Sequence, residues 1–118
     1  MEKRINRKSP LLFSHRGGAG LFPENTLFAF KQSVERFRAD ILELDIHLSA
    51  DGEMIVLHDE TVDRTTDGIG TVSEMTLAEI KRLDAGWRFT DDGGKSYPYR
   101  GKGLTIPTLK EVFEAFQR

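Results

Sequence analysis

His15-Arg16, Glu43-Leu44-Asp45 and His58-Asp59 are the groups in this 118-residue chain best suited to chemistry. Histidine moves protons near neutral pH. Arginine holds two phosphate oxygens through parallel donors. A pair of carboxylates holds a hard divalent cation such as Mg2+ or Ca2+. Together these side chains suit reaction at a phosphate ester. His15 and His58 would take and give protons on either side of a phosphodiester, Arg16 would bind the phosphate, and Glu43 and Asp45 would hold the metal. Each has a plainer alternative: a structural histidine, a surface ion pair for Arg16, and a solvent-facing polar side of a sheet for the two carboxylates.

The elements that must position these groups are partly readable. Leu11 to Ser14 reads as a short buried strand ended by Gly17-Gly18-Ala19-Gly20. Pro23-Glu24-Asn25-Thr26 then opens a helix, with Asn25 or Thr26 as its cap and Glu24 near the positive end of its dipole. Leu27, Phe30, Val34 and Phe37 recur at helical spacing, predicting one apolar face and a core role for the aromatics. Residues 41–48 alternate, with Leu42, Leu44, Ile46 and Leu48 on one face and Glu43, Asp45 and His47 on the other. Strand, helix and strand in this order predict a parallel pair.

Ser49-Ala50-Asp51-Gly52 is a turn signal, and Met54 to His58 is a further strand, so the two should form an antiparallel hairpin. A loop of those four residues sets Leu48 opposite Glu53 and His58 opposite Glu43. A one-residue slip would send His58 to the other face. Beyond Asp59 comes a polar, glycine-punctuated loop. Thr76 with Glu79 and Thr108 with Glu111 are capping boxes for two further helices. Leu77, Ile80 and Leu83 face inward from the first, and Leu109, Val112, Phe113 and Phe116 from the second. Residues 90–103 read as an exposed loop. His47 either lines the site or is incidental, and Asp59 either orients His58 or faces solvent. Asp63, Arg64 and Trp87 are weaker candidates, with loop or core roles as the alternative.

Composition narrows the class. Hydrophobic residues make up 38% and charged residues 31%, as in an ordinary globular domain. A net charge of -2 gives no field to gather nucleic acid or an anionic membrane. There is no cysteine, hence no disulfide framework or thiolate metal site, which fits a reducing, cytoplasmic setting. Residues 1–8 read as a solvated lead-in, and no run is long enough for a membrane span. The strand-helix-strand unit and the last helix need more sheet to pack against, which predicts the beginning of a larger α/β fold.

The motifs His15-Arg16-Gly17-Gly18, Pro23-Glu24-Asn25-Thr26, Glu43-Leu44-Asp45 with Asp51-Gly52, and His58-Asp59 resemble the glycerophosphodiester phosphodiesterase family. The similarity continues through Arg64-Thr65-Thr66-Asp67-Gly68 and Leu83-Asp84-Ala85-Gly86 to Ile106-Pro107-Thr108-Leu109. It implies the N-terminal part of a TIM (β/α)8 barrel, with a hairpin-containing insertion at roughly 49–104 after the second strand. It also implies hydrolysis of a small-molecule glycerophosphodiester to an alcohol and sn-glycerol 3-phosphate, with a divalent metal. His15 and His58 match the acid/base histidines, Arg16 the phosphate-binding arginine, and Glu43 and Asp45 two metal carboxylates. The resemblance implies a third metal carboxylate and a lysine on a strand beyond Arg118. The alternative expectation is a non-catalytic chain that binds phosphorylated ligands or associates with other chains as an oligomer.

Overall fold

The computed structural model describes residues 10–117, so the lead-in expected at residues 1–8 lies outside the described residues. Strand β1 (Phe13–His15) and strand β2 (Ile41–Glu43) pair in parallel, with His15 opposite Glu43. Helix α1 (Leu27–Glu35) connects them, as the strand-helix-strand order predicts. Thr26 is its cap: its Oγ1 accepts from the Ala29 N–H at 3.1 Å. Two buried serines fix the helix to the strand. Ser14 Oγ donates to Ser33 Oγ at 2.7 Å, and Ser33 Oγ donates to the Gly17 carbonyl at 2.8 Å. Phe30 is fully buried, but Val34 and Phe37 are exposed, so the apolar stripe of α1 enters the core only in part. Phe37 leans on Phe22 instead, with ring centroids 6.1 Å apart.

The long strand expected over 41–48 is broken. After β2, the chain restarts as β3 (Ile46–Leu48), which pairs antiparallel with β4 (Met54–Val56) in a separate two-stranded sheet. The hairpin register is one residue off the expectation. Leu48 faces Met54 and Ile46 faces Val56. Ser49 is the cause. Its N–H donates to the Glu53 carbonyl and its Oγ accepts from the Glu53 N–H, both at 2.9 Å, so Ser49 joins the ladder rather than the loop. The same register runs on to Leu57, whose N–H donates to the Asp45 carbonyl at 3.0 Å, and the expected pairing of His58 with Glu43 does not form. Leu42 and Leu44 face the core, while Ile46 and Leu48 are exposed, contrary to a single alternating face.

The buried residues form two clusters on either side of β4. Ile55 joins Leu57, Val62, Val72, Ile80, Ala85 and Ile106, whereas its neighbour Val56 joins Phe30 and Val112, as alternation along a strand requires. Helices α2 (Leu77–Lys81) and α3 (Leu109–Ala115) both begin with the expected capping boxes. Ile80 and Val112 are their buried residues, with Leu77, Leu83, Leu109 and Phe116 packed around them. Phe113 faces outward at 67% exposure, so it falls outside the stripe assigned to it. Ile55 bridges to Thr108 and the Val56 N–H donates to the Pro107 carbonyl at 2.9 Å, which brings α3 against the hairpin. Among the described residues no helix is long and apolar enough to cross a membrane.

Candidate active site

The functional groups gather where β1, β2 and β4 end. Arg16 directly follows β1 with a positive φ of 52°, a conformation uncommon for a residue with a side chain. That turn aims its backbone N–H at Glu43 Oε2, 3.0 Å away. The glycine after it, at φ 75°, reverses the chain over Phe30, where a Cβ would come within 2.8 Å of the ring. His15 lies opposite Glu43 across the parallel pair, with Nε2 3.8 Å from Glu43 Oε2 and a largely exposed side chain.

The Arg16 guanidinium reaches across to the hairpin. Its Nη2 is 2.8 Å from His58 Nε2. Because guanidinium only donates, Nε2 must be the accepting nitrogen in this contact. The proton of the neutral ring then sits on Nδ1, which is 2.9 Å from Asp59 Oδ1. His58 therefore reaches the site by standing beyond the end of β4, without the rung opposite Glu43 that the sequence suggests.

A second arginine completes the arrangement. Arg64 donates from Nη1 and Nη2 to both oxygens of Glu24, at 2.8 and 3.0 Å. It donates from Nε and Nη2 to both oxygens of Asp59, at 2.9 and 3.2 Å. Glu24 Oε2 lies 3.5 Å from Arg16 Nη1. Arg16, Glu24, Arg64, Asp59 and His58 thus form a closed ring. Hydrogen bonds from Arg64 and then His58 hold the Asp59 carboxyl at about 2, well below its usual 3.8. Glu24 and Asp59 push the Arg64 guanidinium further up.

Asp45 differs from every carboxylate in the ring. Its Oδ2 is buried and accepts no hydrogen bond among the described residues, and Arg16 Nε and both side-chain polar atoms of Asn25 are likewise buried without a partner there. A buried carboxylate oxygen without a donor is costly and suits a cation. Glu43, at the same strand end, is partly exposed and has one oxygen engaged. Glu43 and Asp45 are the carboxylates here that could hold a divalent cation, with water and substrate as further ligands. Among the described residues no group of three or more metal-ligating side chains is assembled.

Glu24 and Arg64 are the residues that sequence reasoning undervalued. Glu24 looked like a helix-dipole residue, and its partner lies 40 positions away, beyond the reach of any local spacing rule. His47 does not enter the ring; its Nε2 is 2.9 Å from the His58 carbonyl, so it secures the backbone of a site residue. Asp63 accepts from the Gly70 N–H at 3.0 Å and shapes the loop. Trp87 stacks under Arg100, 4.5 Å from its ring centroid, and has no place at the site. Beside the ring opens a cleft of about 200 Å³, walled by Phe22, Glu24, Arg64, Arg88 and Phe89.

Comparison with known proteins bears on this arrangement. A profile of the glycerophosphoryl diester phosphodiesterase family matches residues 15–118. Glycerophosphodiester phosphodiesterases of Bacillus subtilis and Caldanaerobacter subterraneus are 44% and 51% identical over 90% and 88% of the chain. The chain spans 36% and 39% of their lengths. Among solved structures, the glycerophosphoryl diester phosphodiesterase domain of an uncharacterized Mycobacterium tuberculosis protein superposes with a TM-score of 0.85 at 34% identity. That match covers 91% of this chain and 40% of the other. An Oleispira antarctica phosphodiesterase, solved with the product sn-glycerol-3-phosphate, gives 0.74 at 37% identity, over 90% of this chain and 39% of that one. These neighbours are TIM barrels, and this chain corresponds to part of one.

Proposed function

Because the chain belongs to the glycerophosphoryl diester phosphodiesterase family, we propose that it serves the hydrolysis of glycerophosphodiesters to an alcohol and sn-glycerol 3-phosphate. The observation that carries this reading is the contact between Arg16 Nη2 and His58 Nε2. It supports the reading because a guanidinium able to bind phosphate lies against an imidazole nitrogen able to accept a proton, with Glu43 on the Arg16 backbone and His15 beside Glu43. In this reading β1 and β2 are the first barrel strands, and residues 49–104, with the hairpin leading into them, are an insertion after the second. A cytoplasmic location is part of the same proposal, in keeping with the cysteine-free sequence.

An incoming phosphodiester is a stronger acceptor for the Arg16 guanidinium than a neutral imidazole, since both partners are then charged. His58 Nε2 is thereby released with its lone pair. It takes the proton of the nucleophile, either water or the neighbouring glycerol hydroxyl, whose oxygen bonds to phosphorus. The bond from phosphorus to the leaving alcohol breaks, and that oxygen takes a proton from His15. Asp59, fully ionised at neutral pH, stabilises the cationic His58 that results. Where the glycerol hydroxyl is the nucleophile, the product is a cyclic phosphate, which water opens in a second step. His15 takes the water's proton, the new P–O bond forms, one ring P–O bond breaks, and His58 returns a proton to the freed glycerol oxygen. Glu43 and Asp45 would hold the divalent cation, Mg2+ or Ca2+. Bound there, it supplies positive charge to the phosphate oxygens. The test is release of sn-glycerol 3-phosphate from a glycerophosphodiester by the protein and by His15→Ala and His58→Ala. Rate losses of about 100-fold or more are expected for each; near-normal rates would overturn the assignment.

The exposed apolar residues Leu12, Phe13, Leu21 and Phe37 border one shallow cleft with His15 and favour a second reading, in which this face associates with another polypeptide. Binding of sn-glycerol 3-phosphate without turnover, together with a sedimentation mass above that of the monomer, would support it.

A further inference from the structure

We infer that Arg64 is a positioning residue that sets the tautomer of His58 and the reach of Arg16, through Asp59 and Glu24 respectively. The inference deepens the phosphodiesterase reading and rests on it for its kinetic arm only. Its basis is the fork of Arg64. Four hydrogen bonds leave three nitrogens and end on the four oxygens of two carboxylates. Each carboxylate passes the constraint to one working side chain. Asp59 Oδ1 meets His58 Nδ1 at 2.9 Å, and Glu24 Oε2 meets Arg16 Nη1. Glu24 comes from the segment before α1 and Asp59 from the end of the hairpin, so Arg64 joins the two halves of the site.

The chemistry needs this arrangement for a specific reason. A histidine that accepts a proton at Nε2 must carry its own proton on Nδ1. A neutral imidazole in water favours the opposite tautomer, so the required form persists only where a fixed acceptor faces Nδ1. Asp59 is that acceptor, and its plane is fixed by two bonds from Arg64. Lysine could keep the charge but not the planar fork, so it would leave at least one of the two carboxylates free to turn. Among the described residues Arg64 hydrogen-bonds only to Asp59 and Glu24, and not to Arg16 or His58, so its influence passes through those two partners.

The experiment is a long-range proton–nitrogen NMR spectrum of the histidine rings, recorded for the 118-residue protein and for Arg64→Ala and Arg64→Lys. Wild-type His58 is expected as the Nδ1–H form. Both variants should raise the Nε2–H share several-fold, and added guanidinium ions should reverse the change in Arg64→Ala. Where Arg64→Ala fails to fold, Arg64→Lys carries the test, because it retains the charge between the two carboxylates. A wild-type ring spectrum in the folded variants would overturn the inference. In the hydrolysis assay, Arg64→Lys should lower kcat about tenfold with KM little changed. A wild type that shows neither hydrolysis nor binding of sn-glycerol 3-phosphate would sink the phosphodiesterase reading and leave the tautomer arm readable. An active wild type whose His58 tautomer survives in both variants would sink this inference alone.

Discussion

Arg16 is tethered to Glu43 by its backbone and not by its charge: the N–H of Arg16 donates to Glu43 Oε2 at 3.0 Å. The guanidinium is left to face His58 and Glu24. A carboxylate of the site is thus oriented without consuming the cation that a phosphate would need. The φ of 52° at Arg16 is the cost of this division, and the turn into Gly17 sustains it.

Among the described residues no donor reaches the buried Oδ2 of Asp45, and removing its charge should reveal the fact. In Asp45→Asn the buried unpartnered oxygen is no longer anionic, so the protein without divalent cation should gain about 1 kcal/mol of stability. The response to Mg2+ or Ca2+ should move the other way. Wild-type thermal stability should rise with added cation, as binding to the folded state requires, and the variant should lose that rise. Thermal unfolding with and without a chelator measures both. A wild type indifferent to both cations would remove Asp45 from the list of metal ligands.

Acid should weaken the Asp59–Arg64 pair within a defined window. The folded carboxyl is held at about 2 against 3.8 unfolded, so the folded state binds its proton less readily. Its contribution is complete above about pH 4 and is lost as pH falls toward 2. Side chains that remain partly solvated limit the contribution to about 1 kcal/mol. Urea unfolding of wild type and Asp59→Asn should therefore differ between about pH 4 and 5 and converge as pH falls toward 2. A difference that persists unchanged at pH 2 would show that the pair contributes by some other route.

Gly17→Ala should destabilise the fold and disturb the site together. The position combines φ 75° with an added Cβ only 2.8 Å from Phe30 Cδ1, and Phe30 is fully buried. Backbone strain and overpacking each cost on the order of 1 kcal/mol or more, so a loss of about 2 kcal/mol is expected in urea unfolding. Wild-type stability in this variant would mean that the loop moves aside at little cost.

What could be read from the sequence was what is decided locally. Thr76 with Glu79 and Thr108 with Glu111 close their capping boxes within one helical turn, and both form as expected. The parallel pairing of β1 with β2 followed from order and spacing alone. The hairpin register failed because one hydroxyl, Ser49 Oγ, moved the ladder by a single rung, an energy difference that turn composition does not encode. The apolar stripes over-predicted burial at Phe37 and Phe113 because periodicity identifies a face and not what covers it. At the site, the dipeptides identified residues that do lie together, Arg16 with His58 and His15 with Glu43. The Glu24–Arg64 contact was illegible, since it joins two loops whose approach depends on the whole fold.

A ring of contacts differs from a chain of them in what happens when one link is cut. Arg16, Glu24, Arg64, Asp59 and His58 are each held from two sides. Losing one contact leaves an open chain that still connects the remaining members, so single lesions are partly absorbed. A second cut on the far side releases a whole segment. The losses from paired substitutions in this circuit should therefore exceed the sum of the single ones, and the contribution of any one member is not a fixed quantity but depends on whether the circuit is still closed.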